Sequence, residues 1–133
     1  MSIAPLSFKV AATLAAYRVV TALSSSANTV AYPENDLRPY IGITLDTVLD
    51  TTASIPVAGP GRIAKLYFND TCVSGQLVGA DSSGRGIAFG TIANTTTSLT
   101  LSSAYIGVLI GPKVDATGTI ADVLIMPGFA RNV

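Results

Sequence analysis

The sequence predicts a small, single-domain all-β fold, a barrel or a sandwich, with at most one or two short helices. Three observations carry that reading. Short runs rich in Val, Ile, Tyr and Thr are separated throughout by Gly, Pro, Asp and Ser, which is how strands and turns are punctuated. Ser and Thr together number 27 against 16 charged residues, and threonine's branched Cβ fits a pleated surface. Ten candidate strands share 133 residues, so closure or sheet-on-sheet packing is needed to hide their edges. The length suits one domain that buries about two-thirds of the surface of its unfolded chain.

Along the chain, residues 1–9 read as an N-terminal arm ahead of a β domain over residues 10–133. Ile3, Leu6 and Phe8 give the arm apolar contacts, and Pro5 disfavours regular structure there. Such an arm suits adding a strand to a neighbour's sheet; the plainer alternative is that it packs on its own domain. Val10–Tyr17 is Ala-rich and suits a turn or two of helix, as does Thr44–Thr52 with Leu45, Val48 and Leu49. Strands are expected at Tyr17–Leu23, Thr29–Tyr32, Tyr40–Thr44, Ser54–Val57 and Arg62–Phe68. Further strands are expected at Gln76–Ala80, Gly86–Phe89, Ser98–Leu101, Tyr105–Ile110 and Thr119–Ile125. In Arg62–Phe68 the period of two sends Ala64, Leu66 and Phe68 to one face and Ile63, Lys65 and Tyr67 to the other. Gly59-Pro60-Gly61 and Asp81-Ser82-Ser83-Gly84 are firm breaks. Proline lacks a donor, glycine accepts positive φ, and aspartate bonds the backbone ahead of it.

The chain also echoes itself. Tyr40-Ile41-Gly42-Ile43 returns 65 residues later as Tyr105-Ile106-Gly107-Val108. Each is preceded by a Val-containing strand and polar turn residues, and each is followed by a Pro-Gly, at Pro60-Gly61 and Pro127-Gly128. Two pseudo-repeat halves follow, over about residues 10–61 and 66–128.

The chemistry on offer is sparse. Histidine is absent, which removes the commonest general base and every Ser-His or Cys-His arrangement. No catalytic residue, cofactor-binding residue or metal ligand is assigned, and the chain reads as a non-enzyme. Asp46 and Asp50 are the best-spaced carboxylate pair, but their threonine neighbours mark them as turn formers. Glu34 and Asp36 fall in a further turn. Gly84-Arg85-Gly86 with Gly90 lacks the spacing of a phosphate loop. Cys72 is the single cysteine, so no internal disulfide forms, and a small buried filler is the expected role. Zero net charge gives no general attraction to nucleic acid or an anionic membrane. The uncharged run from Gly86 to Pro112 holds too many Thr, Ser and Asn side chains for a spanning helix. Without a basic n-region, the N-terminus does not read as a signal peptide, and synthesis in a host cytoplasm is expected.

The second half has a familiar shape: Gln76-Leu77-Val78-Gly79-Ala80, then Asp81-Ser82-Ser83-Gly84-Arg85, then Tyr105-Ile106-Gly107-Val108-Leu109-Ile110, then Thr117 through Pro127-Gly128. It resembles the small capsid decoration, or cement, proteins of tailed bacteriophages, and Pro39–Thr44 leading to Gly61–Lys65 looks like the matching first half. The resemblance spans roughly residues 8–128 and rests on strands and turns. It implies a β-barrel-like or β-tulip-like body, a homo-oligomer with a trimer favoured, no cofactor, and a place on the outer capsid surface bridging major capsid protein subunits. The contact residues expected from this reading are Ile3, Pro5, Leu6 and Phe8 in the arm. Thr95, Thr96, Thr97 and Leu99 are expected to join them from a Thr/Ser-rich insert, Thr91–Ser103, that the pattern does not need. Another virion β-barrel component (a head-fibre base or a tail-tube part), a small carboxylate-dependent enzyme and a cellular binding module are the alternatives.

Overall fold

Ten strands and no helix make up the described residues, 5–23, 27–33, 39–89 and 102–131, of this computed structural model. Strands β1 (Leu6–Val10), β2 (Val19–Ala22), β3 (Thr29–Ala31), β4 (Tyr40–Thr44) and β5 (Ser54–Ala58) close into a barrel in the order β1-β3-β2-β4-β5. Strands β6 (Ile63–Tyr67), β7 (Leu77–Ala80), β8 (Gly86–Ala88), β9 (Ser102–Leu109) and β10 (Ile120–Arg131) form a sheet in the order β6-β10-β9-β7-β8. The all-β fold follows from the composition, and nine of the ten expected strands are present. The tenth, Ser98–Leu101, lies outside the described residues.

The sheet repeats the barrel strand for strand. In the barrel, Leu6, Ser7, Phe8 and Lys9 of β1 face Val57, Pro56, Ile55 and Ser54 of β5. In the sheet, Ala64, Lys65, Leu66 and Tyr67 of β6 face Val123, Asp122, Ala121 and Ile120 of β10. The first set is displaced by 58 residues in one strand and by 66 in the other. Val20 faces Gly42 as Val78 faces Gly107, and Ile43 faces Ala58 as Val108 faces Leu124. The parallel pair Val10–Val30 that closes the barrel has its counterpart in an isolated parallel bridge between Phe68 and Gly86. The loop bridges match as well, Leu14–Val48 in one half and Cys72–Val114 in the other. So do the left-handed residues: Tyr17 (φ 63°) corresponds to Gly75 (φ 86°), and Asn28 (φ 55°) to Gly84 (φ 74°).

Two buried clusters fill the molecule. Val10, Leu14, Val20, Val30, Val48, Ile55 and Val57 occupy the barrel. Their seven counterparts include Phe68, Cys72, Val78, Val114, Ala121 and Val123, all in the second cluster. That cluster also takes in Val19, Tyr40, Ile43 and Ala58 of the barrel, so it is both the core of the sheet and the joint between the halves. Backbone bonds cross the joint from Val19 N to Gly84 O (2.7 Å) and from Tyr67 N to Tyr17 O (2.9 Å). The Arg18 guanidinium lies 4.3 Å over the Tyr67 ring.

Four local expectations need revision. Leu6–Lys9, read as part of an N-terminal arm, belong to β1 and pair along β5, with Lys9 also paired to β3. A cut at residue 9 would therefore remove a barrel strand. Val10–Tyr17 and Thr44–Thr52 are not helical; they meet at the Leu14–Val48 bridge. Side chains have taken the donors that a helix would need: Ala15 N bonds Tyr32 Oη (2.7 Å) and Ala16 N bonds Thr47 Oγ1 (3.0 Å). Pro127-Gly128 does not end the last strand, because β10 absorbs the proline at an irregularity between Ile125 and Gly128 and runs on to Arg131. The halves accordingly start at β1 and β6 and not at residues 10 and 66. Pro60-Gly61 does form a turn, with Gly61 at φ 85°.

Candidate functional site: an apolar row across the second sheet

Among the described residues, Asp46, Asp50 and Asp81 are occupied in turns. Asp81 Oδ1 accepts from the backbone N of Ser83 (3.0 Å) and Arg85 (2.9 Å), and its Oδ2 accepts from Arg85 Nε (2.9 Å) and Asn69 Nδ2 (3.1 Å). The expected turn at Asp81–Gly84 is thus built by its aspartate. Asp46 accepts from Thr47 N (2.8 Å), and Asp50 from Thr52 N (2.9 Å) and Thr52 Oγ1 (2.8 Å). Those two bonds hold the exposed Asp50 carboxyl below its usual range. Each carboxylate serves its own turn, as the flanking threonines suggest. Among the described residues, no group of three or more His, Cys, Asp or Glu is placed to hold a metal ion.

Cys72 is buried beside a shallow open depression lined by Asp70, Thr71, Val73, Gln76 and Lys113. Burial, with a smaller push from the Asp70 carboxylate, raises the thiol above its ordinary range. It occupies the place that Leu14 has in the barrel, so it is a core side chain, as its lone occurrence suggests.

The expected contact residues are only partly brought together. Pro5 is exposed, and Leu6 is 45% exposed at the end of the barrel. Phe8 is half-buried and packs against the barrel core, so it holds β1 in place. Ile3, Thr95, Thr96, Thr97 and Leu99 lie outside the described residues.

The ordered feature of the surface was not among the expected sites. Ile63 of β6 faces Leu124 of β10, Leu124 faces Val108 of β9, and Val108 faces Leu77 of β7. The four form one apolar row at right angles to the strands. Each points away from the sheet's core, because its neighbours Ala64, Val123, Leu109 and Val78 are buried. Ile63 is 56% exposed, and the other three are half-buried. Met126, two residues on along β10, and Ile110, just past the end of β9, are also exposed. The Lys65–Asp122 ion pair (3.3 Å) borders the row; exposed as it is, the pair contributes little stability.

The same row exists in the barrel, as Val19, Ile43 and Ala58. There all three are fully buried, because β4 packs against β6, β9 and β10. One copy of the row is fully buried in the joint between the halves, and the other is left partly open to solvent. Sequence alone hides it, since its four members come from strands scattered over 62 residues and align only once the register is known. No protein-family model matches the chain, and no curated protein matches it.

Proposed function

We propose that this protein is a structural component of a virus particle that decorates and stabilises an icosahedral phage head by bridging major capsid protein subunits. The observation that carries this reading is the contrast between its surfaces. Among the described residues, Asp46, Asp50 and Asp81 are tied up in turns, while an apolar row of the kind that marks protein contacts crosses the second sheet.

A head-decorating subunit has simple physical requirements. It must resist unfolding on a shell under internal pressure, which suits a closed barrel fused to a second sheet of the same design. It must bind at many equivalent sites, where modest contacts add through multivalency. With eight charges of each sign, contacts of this chain rest on apolar area and backbone pairing, which salt screens little. The segment preceding β1, with Ile3 and Pro5, and the insert carrying Thr95, Thr96, Thr97 and Leu99 supply the head contact in this reading. The subunit acts without a cofactor, on the outer surface of the capsid and as a homo-oligomer. It involves neither nucleic acid nor membrane.

Co-purification with heads tests the reading. Heads incubated with this protein should carry it in a fixed ratio to the major capsid protein and survive a higher temperature before releasing their DNA. Binding without saturation, or saturated heads with unchanged heat resistance, would refute it.

A further inference from the structure

The internal repeat states what covers a row of this kind. In the barrel, Val19, Ile43 and Ala58 are buried in one cluster with Ala64, Ile106 and Ile125 of the second sheet. The sheet's own row, Leu77, Val108 and Leu124, is only half-buried, and among the described residues it belongs to neither buried cluster. The relation is not mutual: the barrel docks with its row, while the sheet receives it on a different surface.

That receiving surface also exists twice. Ala64 corresponds to Leu6, and Ile106 to Ile41, by the register that relates the halves. Ala64 is 6% exposed and Ile106 is fully buried, whereas Leu6 is 45% exposed and Ile41 half-buried. Among the described residues, the chain therefore presents a row and a receiving surface that are each left partly open. Contacts that join unlike surfaces repeat from copy to copy, and they close into a ring when the rotation allows.

We infer that the contact between barrel and sheet inside the chain is repeated between chains, the Leu77–Val108–Leu124 row of one copy seating on the Leu6–Ile41 end of the next. The occupant is a second copy of this chain, because among the described residues the cover of the barrel's row is the same fold. Zero net charge leaves little long-range repulsion to oppose the meeting. The inference does not depend on what the oligomer then binds. A protein that assembles this way and ignores phage heads would refute the decoration reading and leave this one intact.

Light-scattering mass measurement over a concentration series tests it with two variants. Leu124→Lys places a charge in the row, and Leu6→Lys places one at the receiving end. The wild type should exceed its monomer mass of 13.6 kDa, and each variant alone should fall to that mass. Mixed in equal amounts, the two variants should form a dimer of twice the monomer mass, since each supplies the surface the other has lost. A wild type that stays monomeric at all concentrations overturns the inference, and so does a mixture that stays monomeric. An oligomer that survives Leu6→Lys alone or Leu124→Lys alone overturns it too, because the contact would then lie elsewhere or join two rows. Near-ultraviolet circular dichroism checks that each variant is folded, and Ile63→Lys, at the most exposed position of the row, replaces Leu124→Lys if that variant is not.

Discussion

Gly42 and Gly107 show at the residue scale why the Tyr-Ile-Gly motif occurs twice. A Cβ at Gly42 would run into the carbonyl oxygen of Ala58, and one at Gly107 into that of Leu124. Each glycine lets β5 or β10 cross close over its strand, and because the obstacle is backbone it cannot rotate aside. Gly42→Ala and Gly107→Ala should each lower the stability by on the order of 1–3 kcal/mol, read as a drop in the urea midpoint. By contrast, Gly75 has open space around a built Cβ but sits at φ 86°, so alanine there meets only the backbone cost. Cys72 gives a pH test. Its pKa in the fold is raised, mainly by burial, so the unfolded chain releases the proton first. The stabilising contribution is whole below the ordinary thiol pKa and is lost as the pH rises through the raised one. Between about pH 7 and about pH 10 the wild type should lose more stability than Cys72→Val, whose side chain does not ionise; equal losses would contradict this.

At the scale of elements, the clearest feature is an exchange of volume between equivalent strands. The barrel closes with Val10 on β1 facing Val30 on β3. Its counterpart pairs Phe68 with Gly86, and a Cβ at Gly86 would come within 2.9 Å of the Phe68 ring. One side has grown as the other shrank, which keeps the core filled. Phe68→Val alone should cost roughly 2–4 kcal/mol through the cavity it leaves, and Gly86→Val alone about 1–3 kcal/mol through overpacking. Together they rebuild the Val–Val pair, so the double variant should be more stable than the sum of the singles implies, by about 1 kcal/mol or more. Strict additivity would contradict the equivalence. The same exchange explains what was legible in the sequence. The Tyr-Ile-Gly echo survives because the Ala58 and Leu124 carbonyls forbid change. The kinship of β1 and β6 leaves no echo, because Leu6-Ser7-Phe8-Lys9 and Ala64-Lys65-Leu66-Tyr67 share no residue at matched positions. Pro5 further disguised β1 as an arm. Strand positions could be read locally from β-branched residues and turn signals, whereas the apolar row depends on long-range register, which no local pattern carries.

For the whole molecule, the internal repeat explains how so few charges suffice. Two copies of one five-strand design bury apolar surface in a shared cluster, and the outer row and the Leu6 end are among the apolar places left partly open. In the decoration reading, a subunit made this way serves contact with other proteins. That reading gives the contact a location. Imaging of phage heads by electron cryomicroscopy, with and without the added protein, tests it most directly. Decoration should appear as extra density on the outer face of the shell, repeated at every symmetry-equivalent site among the capsomers and shaped to hold a barrel joined to a second sheet. Heads that show no added density, or density confined to the tail or to a fibre base, would contradict it.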